Sequence, residues 1–241
     1  MCTLTYIPTE EKNFIFTTNR DEDPNRVALP PSKYINNNIE SLYPKDPEGN
    51  GTWMLCNKYF SVCLLNGAFV KHKHEPPYKK SRGLVVLEYE RFQNSIDFIL
   101  NFDFMDIEPF TMIVVRYENK VSLEEIRWDG SSVHYKQLDP KRAEIWSSST
   151  LYDETAREMR KDWFADWKIM DELSCSNVLN FHKNAGCDDL YNGLLMNRKE
   201  MVETTSITQI VHDRLGVRMR YEDLRSEEVT ERYLTKEKSL D

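Results

Sequence analysis

Residues 1–6 read MCTLTY, and residues 14–23 read FIFTTNRDED. Both stretches are rich in Thr, Ile, Phe and Tyr, which favour strands, and the polar stretch PTEEKN at residues 8–13 separates them. The pattern predicts a β-hairpin with strands at residues 3–7 and 13–18. That hairpin would carry a cysteine directly before its first strand and a group of charged side chains at the end of its second.

Two longer stretches show helical spacing. Apolar residues step by three and four through residues 84–102, which predicts an amphipathic helix. A second apolar stripe predicts a core-facing helix that Thr150 or Asp153 caps. Shorter helices are predicted at residues 175–183 and 188–196. The second stripe consists of Ala156, Met159, Trp163, Phe164, Trp167 and Met170.

Strands account for most of the remaining chain. Because strands and helices occur in blocks, the order predicts an α+β protein with antiparallel sheets and helices packed outside them. Residues 19–51 hold five prolines and predict a long irregular segment, and residues 223–241 predict a charged tail of a single domain spanning residues 1–241. The other predicted strands flank Asn57-Lys58 and cover residues 110–118, 121–128, 132–138, 203–212 and 216–221.

Composition excludes several classes of protein. Hydrophobic residues make up 40% of the 241, which is enough for a core, and the net charge of -8 argues against a nucleic-acid partner. The five cysteines are scattered and form no CxxC pair, so neither a disulfide framework nor a structural zinc site is expected. The sequence shows no signal peptide and no transmembrane segment. We expect a cytoplasmic protein with reduced thiols.

Cys2 is the first candidate for chemistry. A thiol is nucleophilic only as a thiolate, so it needs a base within reach. If Met1 is removed, the new α-amino group lies on the same residue as the thiol, and its pKa of about 8 makes it a usable base. The alternative is that Cys2 is a small buried strand residue.

The residues at the end of the second strand are the next candidates. Asp21 could hold the α-ammonium or the thiol in position, and Arg20 would favour the thiolate. Because consecutive strand residues face opposite sides, one of these two residues would point away, and Asn19 would share a face with Asp21. The alternative is a charged, solvated turn.

Together, four stretches resemble the NRDE-motif family of transport and Golgi organisation protein 2-like proteins: MC at the start, TTNRDED at residues 17–23, GTW at residues 51–53 and SRGLV at residues 81–85. The wider resemblance is to N-terminal-nucleophile cysteine hydrolases of the choloylglycine hydrolase and penicillin V acylase type. It implies a four-layer αββα sandwich. It also implies catalytic roles for Cys2, Arg20, Asp21 and Asn66, and substrate-binding roles for Asn19, Trp53, Ser148 and Ser149.

The chain departs from the hydrolase pattern in three places. Arg20 and Asp21 are adjacent, whereas the hydrolases separate them by three positions. Ser148 or Ser149 stands where a second oxyanion asparagine is expected, and Thr204 and Thr205 stand where a late arginine is expected. Hydroxyls can donate to an oxyanion, but they cannot replace a cation.

Two functions therefore stay open. One is a hydrolase that cleaves an amide or thioester through acyl-Cys2. The other is a non-catalytic protein that binds and traffics haem or an acyl chain or acyl-CoA, as the resemblance implies. No cofactor and no bound metal are expected, although His72 and His74 could bind a metal or haem if their loop is not simply solvated. The expected partner is a small acyl or haem-like molecule, and a homo-oligomer stays open.

Overall fold

The computed structural model describes residues 3–10, 13–198 and 201–235 of the chain. Cys2, the predicted nucleophile, lies outside the described residues. The helices are α1 (Arg82–Tyr89), α2 (Ser95–Asn101), α3 (Glu154–Met170) and α4 (Cys175–Asn184). The strands are β1 (Thr3–Pro8), β2 (Phe14–Glu22), β3 (Leu29–Asn36), β4 (Ile39–Lys45), β5 (Met54–Asn57), β6 (Phe60–Asn66), β7 (Phe110–Arg116), β8 (Ser122–Trp128), β9 (Val133–Leu138), β10 (Glu144–Ser147), β11 (Glu203–Asp213), β12 (Gly216–Asp223) and β13 (Val229–Thr235).

The strands form two antiparallel sheets. The six-stranded sheet has the order β10-β1-β2-β11-β12-β13, and the seven-stranded sheet has the order β3-β4-β5-β6-β7-β8-β9. β1 and β2 form the predicted hairpin, with Thr3 opposite Asn19. Thr3 also pairs with Ser147 of β10, so the strand that follows the predicted nucleophile is an interior strand of its sheet.

Three apolar clusters give the order of the layers. The first lies between the sheets and joins Leu4 and Phe16 of one sheet to Cys63 and Ile113 of the other. The second packs α1 and α2 on the outer face of the seven-stranded sheet, and the third packs α3 and α4 on the outer face of the six-stranded sheet. The predicted α+β class with helices outside the sheets is confirmed. None of the helices in the described ranges is both long and apolar enough to cross a membrane.

The prediction of an irregular segment at residues 19–51 is wrong, because the segment contains the end of β2 and the whole of β3 and β4. Pro30 and Pro31 lie in β3, which is the edge strand of the seven-stranded sheet. An edge strand tolerates proline because part of its N–H groups have no partner strand. The proline count therefore indicated an edge strand and not a loop.

The single helix predicted over residues 84–102 is two helices. Glu90 follows α1 and turns its buried carboxylate toward the seven-stranded sheet, where Asn57 donates to it over 3.2 Å. Asn94 then caps α2 by accepting a hydrogen bond from the backbone N–H of Asp97. The periodicity continued across the break because both helices pack on the same sheet.

Two other predictions fail near the end of the chain. Residues 188–196 form turns and not a helix, because the Asp189 side chain accepts hydrogen bonds from the backbone N–H groups of Tyr191 and Asn192. Within the predicted tail, β13 pairs with β12 along its length. The short strand β10 was not predicted.

The predicted α3 is present, and Asp153 caps it by accepting from Ala156 N–H. Its buried face differs from the predicted stripe. Met170 is 82% exposed, whereas Arg160 is fully buried. A charged side chain therefore occupies the centre of the apolar face.

Candidate ligand-binding site at the end of strand β2

The motif residues at the end of β2 point alternately to the two faces of their sheet. Asn19 and Asp21 contact groups on the outer, helical side, whereas Arg20 lies over the ring of Trp53 on the inner side. This is the alternation that a continuous strand imposes. The adjacent Arg-Asp pair is thus divided between two environments.

Asn19 is held in a buried network with His182. Its amide Nδ2 donates to the backbone oxygens of His182 (3.1 Å) and Leu194 (2.7 Å), which turns Oδ1 toward His182 Nδ1 at 2.5 Å. Because Oδ1 can only accept, Nδ1 carries the proton, and Nε2 accepts from the Thr5 hydroxyl at 2.8 Å. Burial, with a smaller effect of Arg160, lowers the pKa of His182 to about 3, so the imidazole is neutral.

Arg160 joins α3 to the start of β1. Its Nη1 donates to Thr3 Oγ1 over 2.5 Å, and its Nε and Nη2 donate to the backbone oxygens of Asn192 and Gly193. The guanidinium lies 3.4 Å from the centre of the Tyr152 ring. The residue bonded directly to Cys2 is therefore fixed by a buried cation as well as by two neighbouring strands.

Asp21 completes this chain of contacts. One carboxylate oxygen accepts from the Tyr152 hydroxyl (2.8 Å), and the other accepts from Thr204 Oγ1 (2.6 Å). Asp21 is thus linked to Thr3 through Tyr152 and Arg160. The catalytic role of Asp21 stays a prediction. Its contacts show a carboxylate that connects β2 to Tyr152 and to Thr204 of β11.

On the inner side, Arg20 lines an open cavity of about 260 Å³. Trp53 and Asn66 line the same cavity, so three of the predicted site residues meet there, while Asn19, Asp21, Ser148 and Ser149 are not among its lining residues. A second cavity, of about 390 Å³ beside α3, is lined by none of the predicted site residues. The other charged residues of the first cavity are Glu22, Arg26, Asp46, Arg82 and Glu108.

Arg20 and Trp53 both carry a buried donor that is not used. Arg20 Nη1 donates to the Arg26 backbone oxygen and to Thr205 Oγ1, but its Nη2 has no hydrogen-bond partner in the described part of the chain. The same holds there for the indole Nε1 of Trp53. The side chains are 3% and 4% exposed, and the guanidinium carbon lies 5.0 Å from the ring centre. Burial lowers the pKa of Arg20.

The hydroxyls at the predicted oxyanion positions are already engaged. Ser148 donates to the backbone oxygen of Asn66 over 2.8 Å, and Ser149 donates to the backbone oxygen of Val70 over 3.3 Å. Thr205 occupies a position at which a late arginine was expected. Its Oγ1 accepts a hydrogen bond from Arg20 Nη1 and donates one to the Arg20 backbone oxygen. The substrate-binding role of Ser148 and Ser149 stays a prediction.

Glu108 organises the outer wall of the cavity. Its Oε1 contacts His72 Nε2 (3.0 Å) and His74 Nδ1 (3.1 Å), and its Oε2 pairs with Arg82 (3.0 Å). Burial opposes the charge, but Arg82 and the two histidines outweigh it and lower the pKa of Glu108. His72 and His74 are thus held by a carboxylate. Within the described ranges, no cluster of three or more histidine, cysteine or acidic side chains could hold a metal ion.

Two glycines of the motif stretches, Gly51 and Gly83, touch backbone to backbone beside the cavity. The Thr52 N–H donates to the Gly83 oxygen over 3.1 Å, and a Cβ on Gly51 would lie 2.3 Å from the Gly83 carbonyl carbon. The start of α1 can approach the loop before β5 this closely because Gly51 has no side chain, and a Cβ on Gly83 would be tight against the Thr52 backbone at 3.1 Å. Gly83 of the RG pair at residues 82–83 therefore has a packing role, whereas Arg82 pairs with Glu108.

Gly51→Ala should lower the free energy of unfolding by about 2–3 kcal/mol, because backbone atoms on both sides must move. The measurement is urea unfolding of the purified variants. Gly49→Ala is the matched control, since its Cβ would meet side-chain and not backbone atoms, those of Arg26 and Asp46 at 3.1 Å and Ser81 Oγ at 3.5 Å. Equal losses for the two variants would contradict the close contact.

Sequence reasoning missed the residues that hold β1 and β2 in place from the outer, helical side of the sheet. Tyr152, Arg160 and His182 are all buried and polar, and each contacts a β1 or β2 residue or another member of this group. One signal was available, because Arg160 lies four residues after Ala156 and four before Phe164 on the apolar face of α3. A charge in that position indicates a buried contact.

Comparison with known proteins identifies one family. The family model described as Transport and Golgi organisation 2 matches residues 1–235. The search of curated proteins found no match.

Proposed function

Because the chain belongs to the Transport and Golgi organisation 2 family over residues 1–235, in agreement with its NRDE-motif resemblance, we propose that the cavity beside Arg20 binds an acyl compound whose amide or thioester is cleaved through acyl-Cys2. The observation that supports this most is the meeting of Arg20, Trp53 and Asn66 in one cavity at the ends of β2 and β6. Thr3, the residue bonded to Cys2, pairs with the strand that carries Arg20.

The proposed reaction has two steps. The Cys2 sulfur attacks the acyl carbon, the thiol proton passes to the α-amino group, and the carbonyl electron pair moves to oxygen. Collapse breaks the bond to the leaving amine or thiolate, which takes that proton. Water then attacks the acyl-Cys2 thioester, gives a proton to the α-amine and releases the carboxylic acid, and the thiol is restored. Asn66 is the proposed side-chain donor to the oxyanion.

Intact mass and covalent labelling test this function. We expect the mature protein to lack Met1 and to form an acyl adduct with S-octanoyl-N-acetylcysteamine. The exposed Cys187 would add background, so Cys187→Ser serves as the parent. Adding Cys2→Ala should abolish the adduct, and adding Asn66→Ala should slow it by about 10²–10³-fold. Cys56 and Cys63 are internal controls, because burial raises the pKa of both thiols.

Retention of Met1, or labelling that Cys2→Ala leaves unchanged, would contradict the catalytic proposal. The alternative is a non-catalytic carrier of an acyl-chain or haem-like ligand. It is supported by Ser148 and Thr205, whose hydroxyls are engaged with neighbouring protein groups where the hydrolase pattern has an asparagine and an arginine. A carrier would bind octanoyl compounds or haem without turnover, and Cys2→Ala would leave that binding unchanged.

A further inference from the structure

Among the described residues, two side chains that line the open cavity each hold a buried donor without a hydrogen-bond partner, Arg20 Nη2 and Trp53 Nε1. Arg26 Nε is a third such donor, but it lies 3.8 Å from a Glu48 carboxylate oxygen. A buried donor without an acceptor costs more than a hydrogen bond gains, and the cost is largest for a charged group. The side chains of Arg20 and Trp53 are more than nine-tenths buried and line the same space. An acceptor group on a bound ligand would remove both costs together.

The charges around the cavity indicate what that acceptor is. Arg26 pairs with Asp46 (2.6 Å) and Glu22 (3.4 Å), and Arg82 pairs with Glu108 (3.0 Å). Among the described residues, Arg20 is the one arginine of this cavity for which no carboxylate oxygen lies within ion-pair distance. Burial lowers the pKa of Arg20 although Glu22 and Asp46 oppose the shift, and it also lowers the pKa of the paired Arg82, so the missing ion pair and not the pKa distinguishes Arg20.

We infer that the ligand carries a carboxylate, separate from the carbonyl that reacts, and that Arg20 and Trp53 bind it. This inference rests on the proposed function for the identity of the reacting group and deepens it by naming a substrate class. A carboxylate suits the site better than a phosphate, because within the described residues the cavity holds one cation without an ion pair and one neutral donor without an acceptor, while its other two arginines are paired. Arginine–carboxylate hydrogen bonds are among the strong ones.

The test compares two ligands that differ only in this charge. Adipic acid monoamide carries an amide and a carboxylate, and adipamide carries two amides. We expect ligand-observed NMR titration to show binding of the monoamide at least tenfold tighter than that of adipamide. Inorganic phosphate added at equal concentration should not displace it. Cys2→Ala protein gives the same comparison without turnover.

Variants assign the effect to the two side chains. Arg20→Met should weaken monoamide binding at least tenfold and adipamide binding little. Trp53→Phe keeps an aromatic ring under the guanidinium but removes Nε1, and should weaken the monoamide a few-fold. Lys161→Met, a surface cation on α3 outside this cavity, is the control and should change neither affinity. If Arg20→Met does not fold, Arg20→Lys and Trp53→Phe carry the test.

Equal affinity of the two ligands, displacement of the monoamide by phosphate, or unchanged binding in folded Arg20 and Trp53 variants would each overturn the inference. An Arg20→Met protein that binds the monoamide normally but alkylates Cys2 with a shifted pH midpoint would assign Arg20 to the thiolate instead. Failure of the proposed function gives a different result, because an inert Cys2 leaves carboxylate-dependent binding intact.

Discussion

Replacing Arg160 by methionine should lower the free energy of unfolding by about 3–5 kcal/mol, because three acceptors each lose a hydrogen bond from a charged donor, worth about 1.5–3 kcal/mol, while the cost of burying the charge is removed. The methionine fills part of the same space but leaves Thr3 Oγ1 and the backbone oxygens of Asn192 and Gly193 without their donor. The Thr3 and Gly193 acceptors are buried and the Asn192 oxygen is partly buried, so water does not replace the donor at all three without rearrangement. Urea unfolding followed by circular dichroism measures the loss.

Two control variants separate the stability lost with these hydrogen bonds from the stability lost by changing any residue of the helix. Lys161→Met removes the neighbouring cation of α3, whose partner is Glu158 at the exposed surface, and should change stability by less than about 0.5 kcal/mol. Arg160→Lys keeps the charge but cannot reach three acceptors with a planar fork, so it should lie between methionine and wild type. A methionine variant as stable as Lys161→Met would contradict the role given to Arg160.

The Arg160 network also shows which kind of contact could not be predicted from the sequence. The hairpin of β1 and β2 was predictable, because its strand-forming residues and its turn lie within about twenty residues of one another. Strand alternation then placed Asn19 and Asp21 on one face, as found. The partners of these residues were not predictable, since Thr204 pairs with Asp21 from 183 residues away and Tyr152 from 131.

Arg160 and the proline-containing β3 illustrate the same physical limit. A hydrophobic pattern counts arginine as polar, and the three acceptors and the Tyr152 ring around the guanidinium are what make its burial favourable. Likewise, Pro30 and Pro31 disfavour a strand in isolation, and the edge position that permits them depends on the whole sheet. The candidate cavity was predictable in part, because the resemblance implied site roles for Arg20, Trp53 and Asn66, but the donors without a partner among the described residues were not.

The buried histidine of the second network should make stability depend on pH. In the folded protein His182 has a pKa of about 3, against 6.5 for an unperturbed imidazole, with burial as the main cause. As the pH falls below 6.5, the His182 imidazole binds a proton in the unfolded chain but stays neutral in the folded protein. The stability that the neutral imidazole contributes is therefore complete above pH 6.5 and is lost toward pH 3, at about 1.4 kcal/mol per pH unit.

The measurement is the free energy of unfolding in urea at intervals between pH 6.5 and pH 4.5, above the range in which most carboxylates titrate. His182→Gln should be less stable than wild type at pH 7. Over this interval, however, its free energy of unfolding should depend less steeply on pH than that of wild type, by the slope that uptake of about one proton causes. His134→Gln, at an exposed position of β9, should not abolish that dependence.

The hydrogen-bond geometry explains why the folded protein resists protonation. The two backbone oxygens that accept from Asn19 Nδ2 fix the direction of its Oδ1, and this fixes the proton of His182 on Nδ1. A second proton on Nε2 would have to displace the Thr5 hydroxyl proton and would place a charge near Arg160 in a fully buried site. Nitrogen-15 NMR of the imidazole at pH 5 should therefore show the neutral Nδ1–H form, and an imidazolium signal there would contradict both the network and the pH dependence.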